Sequence, residues 1–308
     1  MQRVVTDFGA DDPFARVPGK LKEHYGFSLS PATIRQVTET HARRIRTQEQ
    51  LITSYPEQAG VALVVAEIDG SMIPVVTPDA AQDDQRKGKT YAWQEVRLSL
   101  AHELGAVTPW FGVEFQESVD KAGQILFDCA CHAGFGRQTY LHAVGDGAPW
   151  IAAQVEERFG TQGHYLVDFY HVCEYLGPAA AVCGGGEHAA WLGQQKALLK
   201  RGQAQTVIDA LAPHREAPEV ADTQAPVRAC HRYLSNRLTQ LDYAAAQAQG
   251  LPIGSGEIES AHRYVIQKRL KLAGTWWSPL HARDMLHLRV MRANGLWESY
   301  WRNVSLYG

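Results

Sequence analysis

The sequence predicts an α/β fold: a mixed sheet with helices on its faces, a helical segment in front and a helical insertion behind. Three observations predict it. Residues 61–101 are rich in apolar and β-branched strand formers, residues 124–169 alternate helix with strand, and residues 176–249 read as helix almost throughout. At 308 residues the chain exceeds what one core ordinarily carries, so one large domain with appendages, or two domains, is expected.

Residues 13–26 can form a short helix, interrupted near Pro18-Gly19 and stopped at Gly26. Ser30 is a good N-cap, because its hydroxyl can accept an orphan N–H, and Pro31 suits the first helical position. The helix that follows runs towards Gln50, with Ile34, Val37, Ala42 and Ile45 on its apolar side. This pair has the outline of a helix-turn-helix, with Thr33, Arg35 and Gln36 able to face a groove. Residues 61–68 form a continuous apolar run, as in a strand buried on both faces. Asp69-Gly70 reads as a hairpin turn returning through residues 72–76. Residues 78–89 read as a polar loop, and 96–101 as a third strand. A helix at 124–135, a strand at 140–144, a helix at 149–159 and a strand at 164–169 follow. The early connections suit antiparallel hairpins, whereas the later ones need crossovers.

The helical stretch from Leu176 to Gln249 is broken by Gly184-Gly185-Gly186 and by Pro213, Pro218 and Pro226. No Lys-Ser/Thr follows the glycines, so they read as a loop rather than a phosphate cradle. Residues 251–256 form a turn, residues 257–271 a basic helix, and Trp276-Trp277-Ser278-Pro279 opens a last helix towards Tyr300. The expected divisions are a DNA-binding segment at 1–55, the core at 56–175, the inserted helices at 176–250 and the rest of the core at 251–308.

Hydrophobic residues at 45% and charged residues at 20% exclude a mainly disordered or fibrous chain. No apolar run approaches the ~20 residues of a membrane helix, and residues 1–30 lack a signal-peptide pattern. Five cysteines without a CxxC spell neither a disulfide framework nor a zinc ribbon. Cys129-Ala130-Cys131-His132 falls in a helix, at spacings that do not converge on one ion. A reducing cytoplasm is the expected compartment.

The net charge of −3 means that any nucleic-acid surface is local. From Ala261 to Asn303 stand Arg263, Lys268, Arg269, Lys271, Arg283, Arg289, Arg292 and Arg302, against only Asp284 and Glu298. Arg43, Arg44 and Arg46 form a second cluster beside His41. This asymmetry suggests a polyanion contacting both ends of the chain, while solvated helix faces are the plainer reading.

Asp69 and Asp146 each end a buried apolar strand. Were those strands parallel neighbours, both carboxylates would share the crevice where open α/β sheets bind ligands. Two hard oxygen ligands and a third from a helix suit Mg²⁺ or Mn²⁺, and a pair of such ions can cleave phosphodiesters. A third carboxylate would come from Gly254-Ser255-Gly256-Glu257-Ile258-Glu259-Ser260. Glu257 and Glu259 point to roughly opposite sides of a helix, so only one can join. Read alone, each Asp-Gly is also an ordinary turn dipeptide.

The blocks Glu67-Ile68-Asp69-Gly70, Val144-Gly145-Asp146-Gly147-Ala148-Pro149-Trp150-Ile151, Asp168-Phe169-Tyr170-His171-Val172 and Gly254-Ser255-Gly256-Glu257-Ile258-Glu259-Ser260 occur in that order. Together they resemble bacterial insertion-sequence transposases of the Kra type, relatives of the Mutator-like transposases, over about residues 61–300. The resemblance implies a ribonuclease H-like fold with a helical insertion before the last acidic helix. It also implies a DDE triad of Asp69, Asp146 and Glu259 holding two Mg²⁺ or Mn²⁺ ions, with Asp168 and His171 in support. Trp276 or Trp277 matches a block in which a Trp precedes Ser, and either can stack on an unpaired base. Asp7-Phe8-Gly9 resembles the segment before the family's catalytic domain. Many relatives are longer there, so a shortened copy is expected.

The sequence therefore reads as a DNA transposase, cleaving element ends with water and joining the freed 3′-hydroxyl to target DNA. Arg35, Arg43, Arg44, Arg263, Lys268, Arg269, Lys271 and Trp276 are the expected DNA contacts. A homo-oligomer on the DNA, at the bacterial nucleoid and away from membranes, goes with that reading. Two rivals are a decayed transposase that binds DNA without catalysis, and a carboxylate-pair hydrolase of a non-nucleic substrate. The basic helix beside Glu259 argues against the hydrolase.

Overall fold

The computed structural model describes residues 1–79 and 88–307. Helices α1 (Gln2–Asp11), α2 (Val17–Tyr25) and α3 (Pro31–Gln48) come first. Ser30 caps α3 as its chemistry predicts, its side chain accepting from the Thr33 N–H at 3.1 Å. No cap residue in the sequence announces α1, which has no side-chain cap. Tertiary burial of Val5, Thr6, Gly9 and Ala10 holds it instead. Helix α3 packs along α1 and a C-terminal helix more than along α2, and its first turn, with Thr33, Arg35 and Gln36, is exposed.

Strands β1 (Leu63–Pro78), β2 (Lys89–Glu103) and β3 (Trp110–Phe115) follow, then α4 (Val119–His132), β4 (Tyr140–Gly145), α5 (Pro149–Phe159) and β5 (Gly163–Val167). They build a mixed sheet in the order β3-β2-β1-β4-β5. The β1–β2 and β2–β3 pairs are antiparallel, and the β1–β4 and β4–β5 pairs are parallel. Contrary to the hairpin expectation, Asp69-Gly70 is not a turn. The β1–β2 ladder runs unbroken from Val64↔Glu103 to Pro78↔Lys89, and this pairing outweighs the dipeptide's turn preference. The chain reverses after Asp79, whose N–H donates to the Gly88 carbonyl at 2.7 Å. The expected 78–89 loop otherwise falls mostly on residues 80–87, outside the described residues. Strand β3, a short edge strand buried along nearly its whole length, is a further addition to the sequence reading.

Beyond β5 lie α6 (Phe169–Cys183), α7 (His188–Lys200), α8 (Ala204–Leu211), α9 (Pro226–Ser235) and α10 (Tyr243–Ala248). They share one apolar cluster with α4, α5 and one face of the sheet, through residues such as Ile68, Leu141, Leu176, Val207 and Tyr243. The opposite face is covered by α11 (Gly256–Ala261), a π-helical turn (His262–Gln267), α12 (Lys268–Leu270) and α13 (Pro279–Ala293). The expected single last helix is broken at Asn294-Gly295, after which α14 (Trp297–Tyr307) begins. On the open edge of β3, the Asn294 side chain accepts from the Phe111 N–H and donates to the Phe111 carbonyl, both at 2.8 Å.

Candidate active site

Strand register relates the carboxylates. The parallel β1–β4 ladder ends at Glu67↔Val144, so Asp69 and Asp146 each follow its last rung by two residues. Neighbouring strands lie ~4.8 Å apart, and residues at one level share a face. Gly145 pairs with Val167 in β5, and the Asp168 N–H donates to the Gly145 carbonyl at 2.7 Å, which continues the row to Asp168. Odd positions of β1 thus line up Val65, Glu67 and Asp69 towards α11, while Val64, Ala66 and Ile68 enter the other core.

Helix α11 is held over this row by two buried carboxylates. Glu67 Oε2 accepts the Ile258 N–H at 2.7 Å. Asp168 Oδ2 accepts the Ser255 N–H at 2.7 Å and the Ser255 hydroxyl, while its Oδ1 accepts from Tyr170 and His171 N–H at 2.5 and 3.2 Å. Burial pushes the Glu67 carboxyl up to about 8, with the charges of Glu257, Asp168 and Glu259 acting in the same direction and the Ile258 hydrogen bond against them. Gly254 has no room for a side chain: a Cβ there would stand 2.6 Å from the Tyr170 ring.

Within α11 the two glutamates divide. Both are exposed, and Glu257 Oε2 lies 3.1 Å from His102 Nε2 on β2. His262, one turn beyond Glu259, is buried and brings its Nε2 to 3.3 Å from Asp69 Oδ2. The chain widens into a π-helical turn at this histidine, a distortion often found at functional sites.

The inserted helices brace the second aspartate. The Tyr233 hydroxyl donates to the Asp146 carbonyl at 2.7 Å, Arg237 Nε to the Gly147 carbonyl at 2.6 Å, and the Gly147 N–H to the Tyr165 hydroxyl at 2.9 Å. Asp146 Oδ1 accepts the Ala148 N–H at 2.8 Å, so Asp146-Gly147 is also a true turn. Gly147 has a φ of 84°, in the left-handed region.

Among the described residues no three His, Cys, Asp or Glu side chains are gathered at ligating distance. The donor chemistry still fits a hard divalent cation: Asp69, Asp146 and Glu259 offer carboxylate oxygens, and none of the three is fully buried. The Cys129 thiol is buried and pushed up by burial, and His132 stacks on Trp110 at 4.0 Å, an arrangement of packing rather than of ligation.

The expected DNA contacts separate. Arg263 and Lys268 are exposed, and Lys271 is half-buried. Arg269 is withdrawn from any surface role. It is 2% exposed, its guanidinium sits 4.7 Å from both the Phe14 and Trp277 ring centroids, and its Nε donates to the Gly9 carbonyl at 3.1 Å. Burial lowers it to about 10. Arg35 and Arg43 are exposed, and Arg44 is half-buried; together they line a groove of about 560 Å³ with Gln36, Thr40 and His281. Arg43 and Arg46 also reach the buried Asp284, at 3.7 and 2.6 Å, and so fasten α3 to α13. The ring of His171 turns to Glu174 on its own helix, at 3.8 Å. Trp277 is core, whereas Trp276 is 41% exposed.

Glu67, His262 and the Tyr233–Arg237 brace escaped the sequence reading. Glu67 alone carried a signal, standing two residues before Asp69 and hence on its face.

Fold and site define a mixed α/β protein with an acidic row on one sheet face, a helix bearing further carboxylates over it, and basic residues just beyond. Residues 136–306 match the uncharacterised protein family UPF0236, and the chain belongs to that family. The matched span includes Asp146, Asp168 and Glu259, and Asp69 lies before it. A relative from Streptococcus gallolyticus, a "UPF0236 protein in vanSb 3'region", is 26% identical over 170 residues, 54% of this chain. The aligned part spans 36% of that relative's length.

Proposed function

We propose that the chain is a DDE transposase of ribonuclease H-like fold, with Asp69, Asp146 and Glu259 as its triad. The observation that carries this is the parallel β1–β4 ladder, whose last rung precedes both Asp69 and Asp146 by two residues, under a helix whose exposed Glu259 lies one turn from the histidine at Asp69. The strand order β3-β2-β1-β4-β5, antiparallel then parallel, supports the fold, and α6–α10 agree with the expected insertion. The engagement of Glu257 by His102 supports Glu259 as the third carboxylate.

Asp69, Asp146 and Glu259 would hold two Mg²⁺ or Mn²⁺ ions, whose Lewis acidity serves phosphodiester cleavage and joining. His262 orients the Asp69 carboxylate from a buried position. Asp168 and Glu67 set the height of α11 over the sheet. Arg263, Lys268 and Lys271 take phosphates near the triad, and Arg35, Arg43 and Arg44 take them from α3. Water attacks at the element end, and the freed 3′-hydroxyl then attacks target DNA. A homo-oligomer that holds two ends, working at the nucleoid in the bacterial cytoplasm, belongs to the same proposal. Among the described residues no helix is long and apolar enough to cross a membrane.

The test is strand cleavage and joining on a labelled duplex carrying the flanking terminal repeats, with Mg²⁺ or Mn²⁺. Metal-requiring products should fall at least ~100-fold in Asp146→Asn and Glu259→Gln, since even changing a ligand's hydrogen-bond partner costs about 10–100-fold. Activity that survives Glu259→Gln but not Glu257→Gln would move the third role to Glu257. Salt-sensitive duplex binding without any cleavage would leave a DNA-binding protein.

A further inference from the structure

We infer that Arg97 is a positioning residue for the acidic site: stacked on Trp150, it ties the turn that carries Asp146 to the strand that carries Asp69. This rests on the reading above, in which both carboxylates hold divalent ions. The backbone alone leaves their relation loose. The β1–β4 ladder has its last rung at Glu67↔Val144, and both aspartates lie past it. Asp69 is still fixed by β2, where it pairs with Leu98 and Gly70 pairs with Arg97. Asp146 follows the end of β4 and opens the turn into α5.

Arg97 spans this gap from the face opposite Asp69. Leu98, the partner of Asp69, enters the core shared with α11 and α13, so the next pair, Gly70 and Arg97, faces the layer of α4 and α5. There the Arg97 guanidinium carbon lies 5.2 Å from the Trp150 ring centroid, within cation–π range. Its Nη1 donates to the buried Glu114 of β3 at 2.9 Å, and its Nη2 lies 2.6 Å from Glu95. The Glu95 carboxylate in turn takes the place of a side chain at Gly70, where a Cβ would stand 2.8 Å from its Oε1. Two carboxylates thus aim a planar fork over the indole, a pose that suits arginine and not lysine. The Arg97 Nε remains buried without a hydrogen-bond partner among the described residues, a cost that folds concentrate at functional sites.

Trp150 passes this restraint to Asp146 through a stiff turn. Asp146 Oδ1 accepts the Ala148 N–H at 2.8 Å, Pro149 locks the next φ, and the Ile151 N–H donates to the Ala148 carbonyl at 3.0 Å. So short and closed a span moves as one piece, and a displaced indole displaces the carboxylate with it. The Tyr233–Arg237 brace grips the same turn at the Asp146 and Gly147 carbonyls, but from the inserted helices. Arg97 grips it from β2, the strand that also fixes Asp69. The two aspartates are thereby referred to one another rather than each to its own surroundings, which is what a pair of ligands to shared ions requires.

The experiment is a Mn²⁺ titration of the full chain, read by electron paramagnetic resonance of the free ion, with melting temperatures as a folding control. Wild type is compared with Asp146→Asn, Arg97→Lys, Arg97→Ala, Trp150→Ala, Trp150→Phe and the double variant Arg97→Ala/Trp150→Ala. Wild type should bind Mn²⁺, and Asp146→Asn should bind it far more weakly. Arg97→Ala should weaken binding roughly two- to thirtyfold, the range that one cation–π contact can transmit. Arg97→Lys keeps a cation for Glu114 and loses the planar stack, so it should melt near wild type and still bind more weakly. Trp150→Phe keeps a ring face and should hold most of the affinity. The double variant should bind about as Trp150→Ala does, since both changes remove one contact. Wild-type affinity in Arg97→Lys and Arg97→Ala, whatever their melting temperatures, would overturn the positioning role. Additive losses in the double variant would overturn it too, by uncoupling the two side chains. Binding that ignores Asp146→Asn, or its absence in wild type, would overturn the metal reading beneath the proposal.

Discussion

Glu67 and Ile258 are joined by a 2.7 Å hydrogen bond across 191 residues of sequence, from a buried carboxyl on β1 to the first turn of α11. The bond satisfies an orphan helix N–H in a site too dry for water to do so. Glu67→Ala should leave that donor unpaired and cost about 1–3 kcal/mol. Glu67→Gln keeps an acceptor and should cost less than ~1 kcal/mol, because a carboxyl pushed up to about 8 is already mostly neutral at pH 7. Chemical denaturation of both variants in a chelator measures the difference.

Exposed and buried cations of one helical stretch should behave oppositely on DNA. Lys268→Ala should lower the salt slope of duplex binding by about one and leave the melting temperature nearly unchanged. Arg269→Ala should leave the slope alone and destabilise the fold by about 2–4 kcal/mol, through the lost stack between Phe14 and Trp277. A slope that responds to Arg269 and ignores Lys268 would reverse this assignment.

Asp11 couples stability to pH. Burial raises its carboxyl, but the Arg289 hydrogen bond and the charges of Arg292 and Arg289 outweigh burial and hold it below its usual range. A carboxylate depressed in the folded state adds stability above its unfolded value, and loses it as pH falls through the folded one. Asp11→Asn should therefore cost about 1 kcal/mol at pH 7, the Asp11 side chain being 35% exposed. Thermal melts should converge with wild type towards pH 3 and below.

Asn294 stands in for a neighbouring strand at Phe111. Asn294→Ala should cost about 1–3 kcal/mol and leave the β3 edge open to pairing with another chain. Light scattering on mild warming should rise earlier than in wild type.

Local chemistry made much of the fold legible. Ser30-Pro31 announced α3, and Pro149 announced α5 at its actual start. The apolar runs before Asp69 and Asp146 announced β1 and β4. Where the reading failed, distant partners decided. Asp69-Gly70 stays extended because β2 pairs with it on one side, and α1 forms because α3, α12 and α13 cover it. Asp146 was readable as a strand-end acid, whereas Asp69, read the same way, stands in the middle of β1. Glu67 and His262 were not singled out, because their meaning lies in what they touch across the fold. Arg269 read as a surface charge, since nothing in its neighbourhood tells that Phe14 and Trp277 close over it.

The span between Glu67 and Ile258 also bears on when the acidic site comes into being. At typical translation rates of 5–20 residues per second, those 191 residues take roughly ten to forty seconds to emerge. During that interval the nascent chain carries Asp69, and later Asp146, with no helix docked above them and no third acid. A protein whose proposed work is to cut its own host's chromosome would thus be disarmed while still on the ribosome, and a message broken before Ile258 would yield a product without the assembled site.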